Sequence, residues 1–435
     1  MALQKHIDII DPVIDRAVLV GIDRNDPVWK LDDSLAELHR LADTAGALVV
    51  AVTSQKMDTP NPRTFIGAGK AEEVAGLCRS FEADVVIFDD ELTPSQQSNL
   101  EKIVPKNVKV IDRTALILDI FALHATSKEG RLQVRLAQNE YLLPRLRGMW
   151  AHLASNQMGG GVGSRFGEGE SQLEVDRRIV RKRITSIKRE LKHLSQVRSI
   201  QRESRYEGEV FKAAIAGYTN AGKSSLLNRL TDADVLSYDK LFATLDSTTR
   251  RLALPEGREV TLTDTVGFIQ KLPTNLIEAF KSTLDEVAGA DLILHVIDAS
   301  SSEHEAQVVA VETVLSQIGA EHISRVEVFN KIDLLEEEEL QAVKTRHRDA
   351  VFISAATGEG IDGLIDKISR IAAAQGALIE VCIPYERGDL VSAAHEHCSI
   401  IHEEHLGSGT RIRMFAGKKY SSLFSQYLTE GEDAS

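Results

Sequence analysis

Gly217-Tyr218-Thr219-Asn220-Ala221-Gly222-Lys223-Ser224 fits the pattern G-x-x-x-x-G-K-[ST]. Before it runs Val210-Phe211-Lys212-Ala213-Ala214-Ile215-Ala216, which reads as a buried strand. After it runs Ser225-Leu226-Leu227-Asn228-Arg229-Leu230, which reads as the first turns of a helix. A glycine-rich turn between strand and helix points backbone N–H groups inward around a polyphosphate, and the helix N-terminus adds positive dipole. Lys223 then reaches the outer phosphates and Ser224 can hold Mg²⁺.

Three later segments identify the base. Val260-Thr261-Leu262-Thr263-Asp264 is an apolar, β-branched run followed by Thr265-Val266-Gly267. Asp264 can hold the Mg²⁺ hydration shell, and the Gly267 N–H can sense a γ-phosphate. Val326-Glu327-Val328-Phe329 leads into Asn330-Lys331-Ile332-Asp333. The Asp333 carboxylate can accept from both N1–H and the exocyclic amine of guanine, a donor pair adenine lacks. Asn330 can bond the base edge, and the Lys331 stem can lie over the ring. Val351-Phe352-Ile353-Ser354-Ala355-Ala356 ends in small residues suited to a backbone N–H bond to guanine O6. Each motif is weak alone. Their order, each at the end of an apolar run alternating with helical segments, predicts a doubly wound α/β sheet with GTP or GDP at its strand C-termini.

At 435 residues the chain is long enough for two to four domains. Its formal net charge of −14 excludes a generic polyanion binder. The charge is uneven, however. Residues 131–205 carry 16 Lys and Arg against 7 Asp and Glu, which marks a local polyanion contact or a solvated helix face. Cys78, Cys382 and Cys398 form no metal spacing, and their odd number suits reduced thiols in a cytosol. No apolar run approaches membrane-spanning length. A soluble, cytoplasmic chain is expected.

The whole chain reads as α/β in four parts. Residues 1–130 form a small N-terminal α/β domain with strands near 17–22, 47–52, 84–88 and 107–111. Residues 131–208 form a basic, antiparallel helical hairpin, coiled-coil-like, with a Gly-rich tip loop over 156–170. Residues 209–374 form the doubly wound P-loop domain, and 375–435 a small α+β domain with strands at 379–384 and 410–416. In the hairpin, Leu132, Leu136, Asn139, Leu143, Leu146, Trp150 and Leu153 make one a/d seam, and Leu173, Val180, Ile184, Ile187, Leu191 and Leu194 make the other. With the seams buried, Arg177, Arg178, Arg181, Lys182, Arg183, Lys188, Arg189 and Lys192 face outward. Arg165 and Phe166 would offer charge and stacking at the tip. Phe65-Ile66-Gly67-Ala68-Gly69-Lys70 reads as a tight strand-to-helix turn, with an anion site as the alternative. His395, His397 and Cys398 are too crowded for a good metal site.

Over nearly its whole length the chain resembles the HflX-type ribosome-associated GTPases, which are related to the translation-factor GTPases. The resemblance is carried by Pro62-Arg63-Thr64-Phe65-Ile66-Gly67-Ala68-Gly69-Lys70, Asp112-Arg113-Thr114-Ala115-Leu116-Ile117-Leu118-Asp119, Tyr141-Leu142-Leu143-Pro144-Arg145-Leu146, Gln172-Leu173-Glu174-Val175-Asp176-Arg177-Arg178 and Phe242-Ala243-Thr244-Leu245-Asp246. It departs at Ser247, where the family usually has Pro. The resemblance implies a GTPase that binds the large (50S) ribosomal subunit, with rRNA contact through the arm. It implies GTP-coupled dissociation of stalled or idle ribosomes, a role in stress. It also implies that Thr244 is the switch residue binding Mg²⁺, where sequence alone leaves Thr244, Thr248 and Thr249 as rivals. A monomer is expected. The alternatives are a ribosome-assembly or RNA-modification GTPase and a GTP-sensing adaptor for a protein partner.

Phe268 follows Gly267, where many regulatory GTPases carry a Gln that orients the attacking water. Phe cannot hydrogen-bond water, so slow intrinsic hydrolysis, stimulated by the ribosome, is expected. Asn220 matches the position that potassium-dependent GTPases use to hold a monovalent cation; a loop-capping role is the alternative.

Overall fold

A computed structural model describes residues 14–25, 29–156, 165–205, 211–231, 241–242, 245, 247–255, 257–271, 273, 276 and 281–429. The chain divides into two compact units, Met1–Leu123 with Val134–Thr185, and His124–Gln133 with Ser186–Ser435. Each unit takes in part of the helical hairpin.

The first unit contains a four-stranded parallel sheet, order β2-β1-β3-β4, from β1 (Arg16–Asp23), β2 (Leu48–Lys56), β3 (Val85–Phe88) and β4 (Lys109–Asp112). The four expected strands are all present. Their connections are α1 (Leu31–Thr44), α2 (Ala68–Ser80) and α3 (Pro94–Leu100), and α4 (Arg113–His124) follows β4. α3 starts with a capping box, Thr93 and Gln96 satisfying each other's backbone N–H groups, with proline in its first turn. At the turn before α2 the Gly67 N–H donates to Gln55 Oε1 at 2.8 Å, and Lys70 pairs with Glu73.

Two of the sequence words that carry the family resemblance meet in this unit. Asp112 is fully buried. It accepts from the backbone N–H groups of Leu92 (3.0 Å) and Ala115 (2.9 Å), from the Tyr141 hydroxyl (2.9 Å) and from Arg145 (3.3 Å). Arg145 also lies over the Tyr141 ring at 3.5 Å and donates to Leu92 O at 2.6 Å. Burial, then the Asp112 charge, raises the Tyr141 hydroxyl pKa. Next to this network, the buried Arg113 is paired with Asp89 at 2.6 Å and with Glu37. Removing one member of such a buried set leaves an uncompensated charge, at a cost of about 3–5 kcal/mol.

The hairpin helices are α5 (Lys128–Asn156) and α6 (Arg165–Arg205). Lys128, at the start of α5, pairs with Glu190, late in α6, at 2.8 Å, as an antiparallel pair requires. Leu132, Leu136, Leu146 and Val180 are buried on the expected seams, and Leu143, Ile184, Ile187, Leu191 and Leu194 are half-buried. Three details differ from the heptad reading. Gln133, Val134 and Ala137 are buried too, so α5 hides a face wider than an a/d stripe. Asn139 donates to its own helix at Arg135 O (2.6 Å), which occupies its amide locally. Finally, α6 begins at Arg165, so residues 165–170 of the expected tip loop are helical. The sequence there includes Glu168 and Glu170, acidic residues of the kind that helix starts favour, while residues 157–164 lie outside the described set. α5 continues through Pro144, which is exposed.

The second unit holds a six-stranded sheet, order β10-β9-β8-β5-β7-β6. Its strands are β5 (Phe211–Gly217), β6 (Thr248–Ala253), β7 (Glu259–Asp264), β8 (Leu292–Asp298), β9 (Ser324–Asn330) and β10 (Val351–Phe352). All pairs are parallel except the β6–β7 hairpin. The helix α7 (Lys223–Thr231) follows the phosphate loop, and the helix Ile361–Gln375 runs straight into the next sheet. That sheet is antiparallel, order β11-β13-β12, from β11 (Gly376–Ile383), β12 (Ser399–Leu406) and β13 (Gly409–Gly417), with the helix Gly388–His397 between its first two strands. His395 pairs with Glu403 and His397 stacks on Tyr420. Among the described residues no cluster of three or more His, Cys, Asp or Glu could hold a metal, and no helix is long and apolar enough to cross a membrane.

Candidate functional site

The strand ends of β5, β7 and β9 and the loop after β10 bring the sequence motifs together. The loop from Gly217 to Ser224 leaves β5 and turns directly into α7. Its two glycines are required by different geometry. A Cβ on Gly217 would collide with the Val296 carbonyl of β8, and Gly222 has φ +90° beside the Asn330 amide. Asn220 also takes a left-handed φ of +60°, which Asn tolerates better than most residues.

Lys223 is buried and donates to Tyr218 O at 2.8 Å, which holds the ammonium across the loop. Burial lowers its pKa to about 8, against the opposing pull of Asp264. Ser224 Oγ donates to Asp264 Oδ2 at 2.6 Å, and Asp264 is fully buried at the end of β7. A hydroxyl and a carboxylate from two different elements thus converge beside the lysine, an oxygen set that suits Mg²⁺. Thr265 Oγ1 donates to Ile215 O at 2.8 Å, locking the start of D-x-x-G onto β5.

The segment after Asp264 lies against the phosphate loop. The Phe268 N–H donates to Gly217 O at 3.1 Å, and the Thr219 N–H donates to Phe268 O at 2.7 Å. The Gln270 N–H donates to the Tyr218 hydroxyl at 2.7 Å. Phe268 is 2 % exposed, so it is buried rather than offered to water. Gly267 stands next to Lys223: a Cβ there would lie 3.0 Å from Lys223 Nζ and 2.9 Å from Thr219 Cγ2.

At the base end, Asp333 is exposed. The Lys331 ammonium pairs with Asp298 at 2.7 Å, and the residue sits at φ +66°. Asn330 makes two bonds to distant loops. Its amide is buried and occupied on both sides: Nδ2 donates to Ala221 O (2.9 Å) and Oδ1 accepts from the Ala355 N–H (2.9 Å). It therefore fastens the phosphate loop to the Ser354-Ala355-Ala356 loop. Ser354 is fully buried, its Oγ accepting from the Thr357 N–H at 3.0 Å.

Arg229 was not expected here. From α7 it donates to Ala355 O at 3.0 Å and to Ala356 O at 2.5 Å, a second fastening of the same loop. His295 on β8 was not expected either. It is buried, and burial, with the Arg325 and Lys223 charges, pushes its pKa down to about 4, so the imidazole is neutral. Phe242 and Leu245 are buried. Ala243, Thr244 and Asp246 lie outside the described residues.

Three family models match the chain: a GTP-binding GTPase N-terminal region over residues 32–122, a GTP-binding GTPase middle region over 124–205, and a 50S ribosome-binding GTPase over 212–331. The GTPase HflX of Caldanaerobacter subterraneus subsp. tengcongensis is 47 % identical over 399 residues, 92 % of this chain and 90 % of the relative. The GTPase HflX of Escherichia coli K12 is 42 % identical over 84 % of this chain and 85 % of the relative. A crystal structure of SsGBP with GDP aligns over 83 % of this chain and 99 % of that one, at 25 % identity and a TM-score of 0.46.

Proposed function

The chain belongs to the HflX family of GTPases, and on that premise we propose that it binds the large ribosomal subunit and couples GTP binding and hydrolysis to the dissociation of stalled or idle ribosomes. The observation that carries the partner is the outer face of α6. Arg178, Arg181, Lys182, Arg183, Lys188, Arg189 and Lys192 are all exposed along it, on a chain that is otherwise acidic. A row of cations on one helix is the electrostatic footprint of a phosphate backbone. The 50S ribosome-binding description of the matching G-domain model points the same way.

In this reading Lys223 and the loop N–H groups hold the phosphates, and Asp333 selects guanine. The Gly267 N–H registers the γ-phosphate. Ser224, with Thr244 and the shell held by Asp264, holds Mg²⁺, which when bound neutralises charge developing on the β- and γ-phosphate oxygens. Asn330 and Arg229 keep the phosphate and base loops at a fixed spacing. Phe268, buried and apolar, cannot orient water, so intrinsic hydrolysis is slow and ribosome contact accelerates it.

Sucrose-gradient sedimentation of ribosomes with the full chain and GTP, GDP or a non-hydrolysable GTP analogue tests this. Subunits should separate with GTP and the analogue and stay joined with GDP. Binding to precursor particles alone would favour the assembly reading. Substituting Arg181, Lys182 and Arg183 by Gln should leave GTP affinity intact, weaken 50S binding, and lower its log–log salt slope by about one for each rRNA phosphate no longer neutralised. An unchanged slope would point to a protein partner instead.

A further inference from the structure

We propose that the Thr219 hydroxyl is a catalytic group for GTP hydrolysis in this chain, taking over the placing of water that Phe268 cannot perform. Thr219 is 6 % exposed, and its Oγ1 has no hydrogen-bond partner among the described residues. Buried hydroxyls are nearly always bonded, so an orphan at a substrate loop calls for a partner that arrives with the substrate.

Its position identifies that partner. The Thr219 Cα and Cγ2 both close on Gly267, at 3.0 and 2.9 Å from where a Cβ would stand, and Lys223 Nζ is 3.0 Å from the same point. Lys223 marks the outer phosphates, and the Gly267 N–H marks the γ-phosphate. Oγ1 shares its Cβ with that methyl, so the hydroxyl belongs to a side chain that packs against the Gly267 and Lys223 pair. The backbone is clamped there by the Thr219 N–H to Phe268 O bond of 2.7 Å and the Phe268 N–H to Gly217 O bond of 3.1 Å. Phe268 itself is buried and has no polar side-chain atom to offer.

The hydroxyl accepts a hydrogen bond from the attacking water and donates a hydrogen bond to a γ-phosphate oxygen, keeping its own proton. The water oxygen bonds to the γ-phosphorus. The bond from phosphorus to the β–γ bridging oxygen breaks, leaving its electron pair on GDP, and the water proton ends on the released phosphate. Thr219 is unchanged at the end. The inference rests on the GTPase activity of the chain and not on its ribosomal partner, so the assay contains no ribosomes.

The test is single-turnover hydrolysis of GTP with Mg²⁺ by the full chain and by Thr219→Val, Thr219→Ser and Thr219→Ala. GTP and GDP dissociation constants and melting temperatures are measured in parallel. Loss of a hydrogen bond to a charged transition state slows hydrolysis about 10- to 100-fold. Thr219→Val and Thr219→Ala should show that loss with affinities unchanged within about twofold, and Thr219→Ser should stay close to the parent rate. Thr219→Val should melt no lower than the parent, because it removes an unpaired buried hydroxyl and keeps the shape. The proposal is overturned by a Val variant as fast as the parent, by a rate loss matched by an equal loss of GTP affinity, or by a Ser variant as slow as Val.

Discussion

Asn330→Ala separates two roles for the first residue of N-K-x-D. Its two bonds, each 2.9 Å, join the carbonyl of Ala221 to the N–H of Ala355 across a side chain that is 2 % exposed. Ala221 and Ala355 are themselves buried, so neither orphaned group can reach water while the loops keep their places. Each unpaired buried group costs about 1–3 kcal/mol, so the variant either carries about 2–6 kcal/mol of penalty or lets the loops part. Parted loops must be brought back together when nucleotide binds. Taking about 2 kcal/mol as the smallest cost of that return, affinity falls ~30-fold. GTP and GDP should weaken equally, since neither fastening lies at the γ-phosphate. Preference for GTP over ATP should be kept, because Asp333 remains. Titration of fluorescent GTP, GDP and ATP analogues reads all three. A Kd for GDP within about twofold of the parent would refute the fastening argument. A variant that gains ATP binding would show that Asn330 reads the base edge after all.

Lys223 gives a pH dependence whose sign follows from its burial. Its folded pKa of about 8 lies below the ordinary 10.5, so between those values the unfolded chain holds a proton the folded chain lacks, and stability rises with pH. Nucleotide-free Lys223→Met should be the more stable protein at pH 7, by on the order of 3 kcal/mol at most, with the gap closing toward pH 10.5 in urea titrations; a gap independent of pH would remove the burial argument. Arg258 is buried, donates to Ala372 O, and lies over the rings of Phe415 (5.2 Å) and Phe211 (5.7 Å). Arg258→Ala should lower stability by about 2–4 kcal/mol in chemical denaturation, and a change under about 1 kcal/mol would show that these interactions are idle. If Asn220 helps to hold a monovalent cation, GTP hydrolysis should run several-fold faster in KCl than in NaCl; equal rates leave it the loop-capping role alone.

The nucleotide motifs were legible because their chemistry is local. Gly217 through Ser224, Asp264 through Gly267, and Asn330 through Asp333 each sit at the end of one apolar strand, and the sheet order delivers those ends to one side. What could not be read was where a side chain spends its bonds once distant loops meet. Asn330 looks like a base-edge ligand in its own tetrapeptide, yet its partners are 109 and 25 residues away. Arg229 reads as an ordinary helix residue until the loop 126 residues later comes under it. The N-terminal words Asp112-Arg113 and Tyr141-Leu142-Leu143-Pro144-Arg145 were recognisable only as a resemblance; their reason is a buried hydrogen-bonded network that no periodicity announces. The hairpin was half legible, since a heptad reading finds the seam but not the second packed face marked by Val134 and Ala137.

The division between fixed and variable parts of the site follows from these bonds. The phosphate loop and base loop are tied by Asn330 and Arg229, and the segment after Asp264 is tied to the phosphate loop through Phe268 and Gln270. A ligand that only filled this cradle would bind tightly and change little. Discrimination between GTP and GDP must then come from the few groups near the γ-phosphate with bonds left to make. Gly267, packed between Lys223 and the Thr219 side chain, is placed to be one of them. Thr219→Val should leave the GTP-to-GDP affinity ratio unchanged within about twofold, and a ratio that narrows as far as the rate falls would overturn the catalytic assignment. A ratio unchanged while hydrolysis slows places its contact in the transition state alone, which raises kcat without tightening GTP.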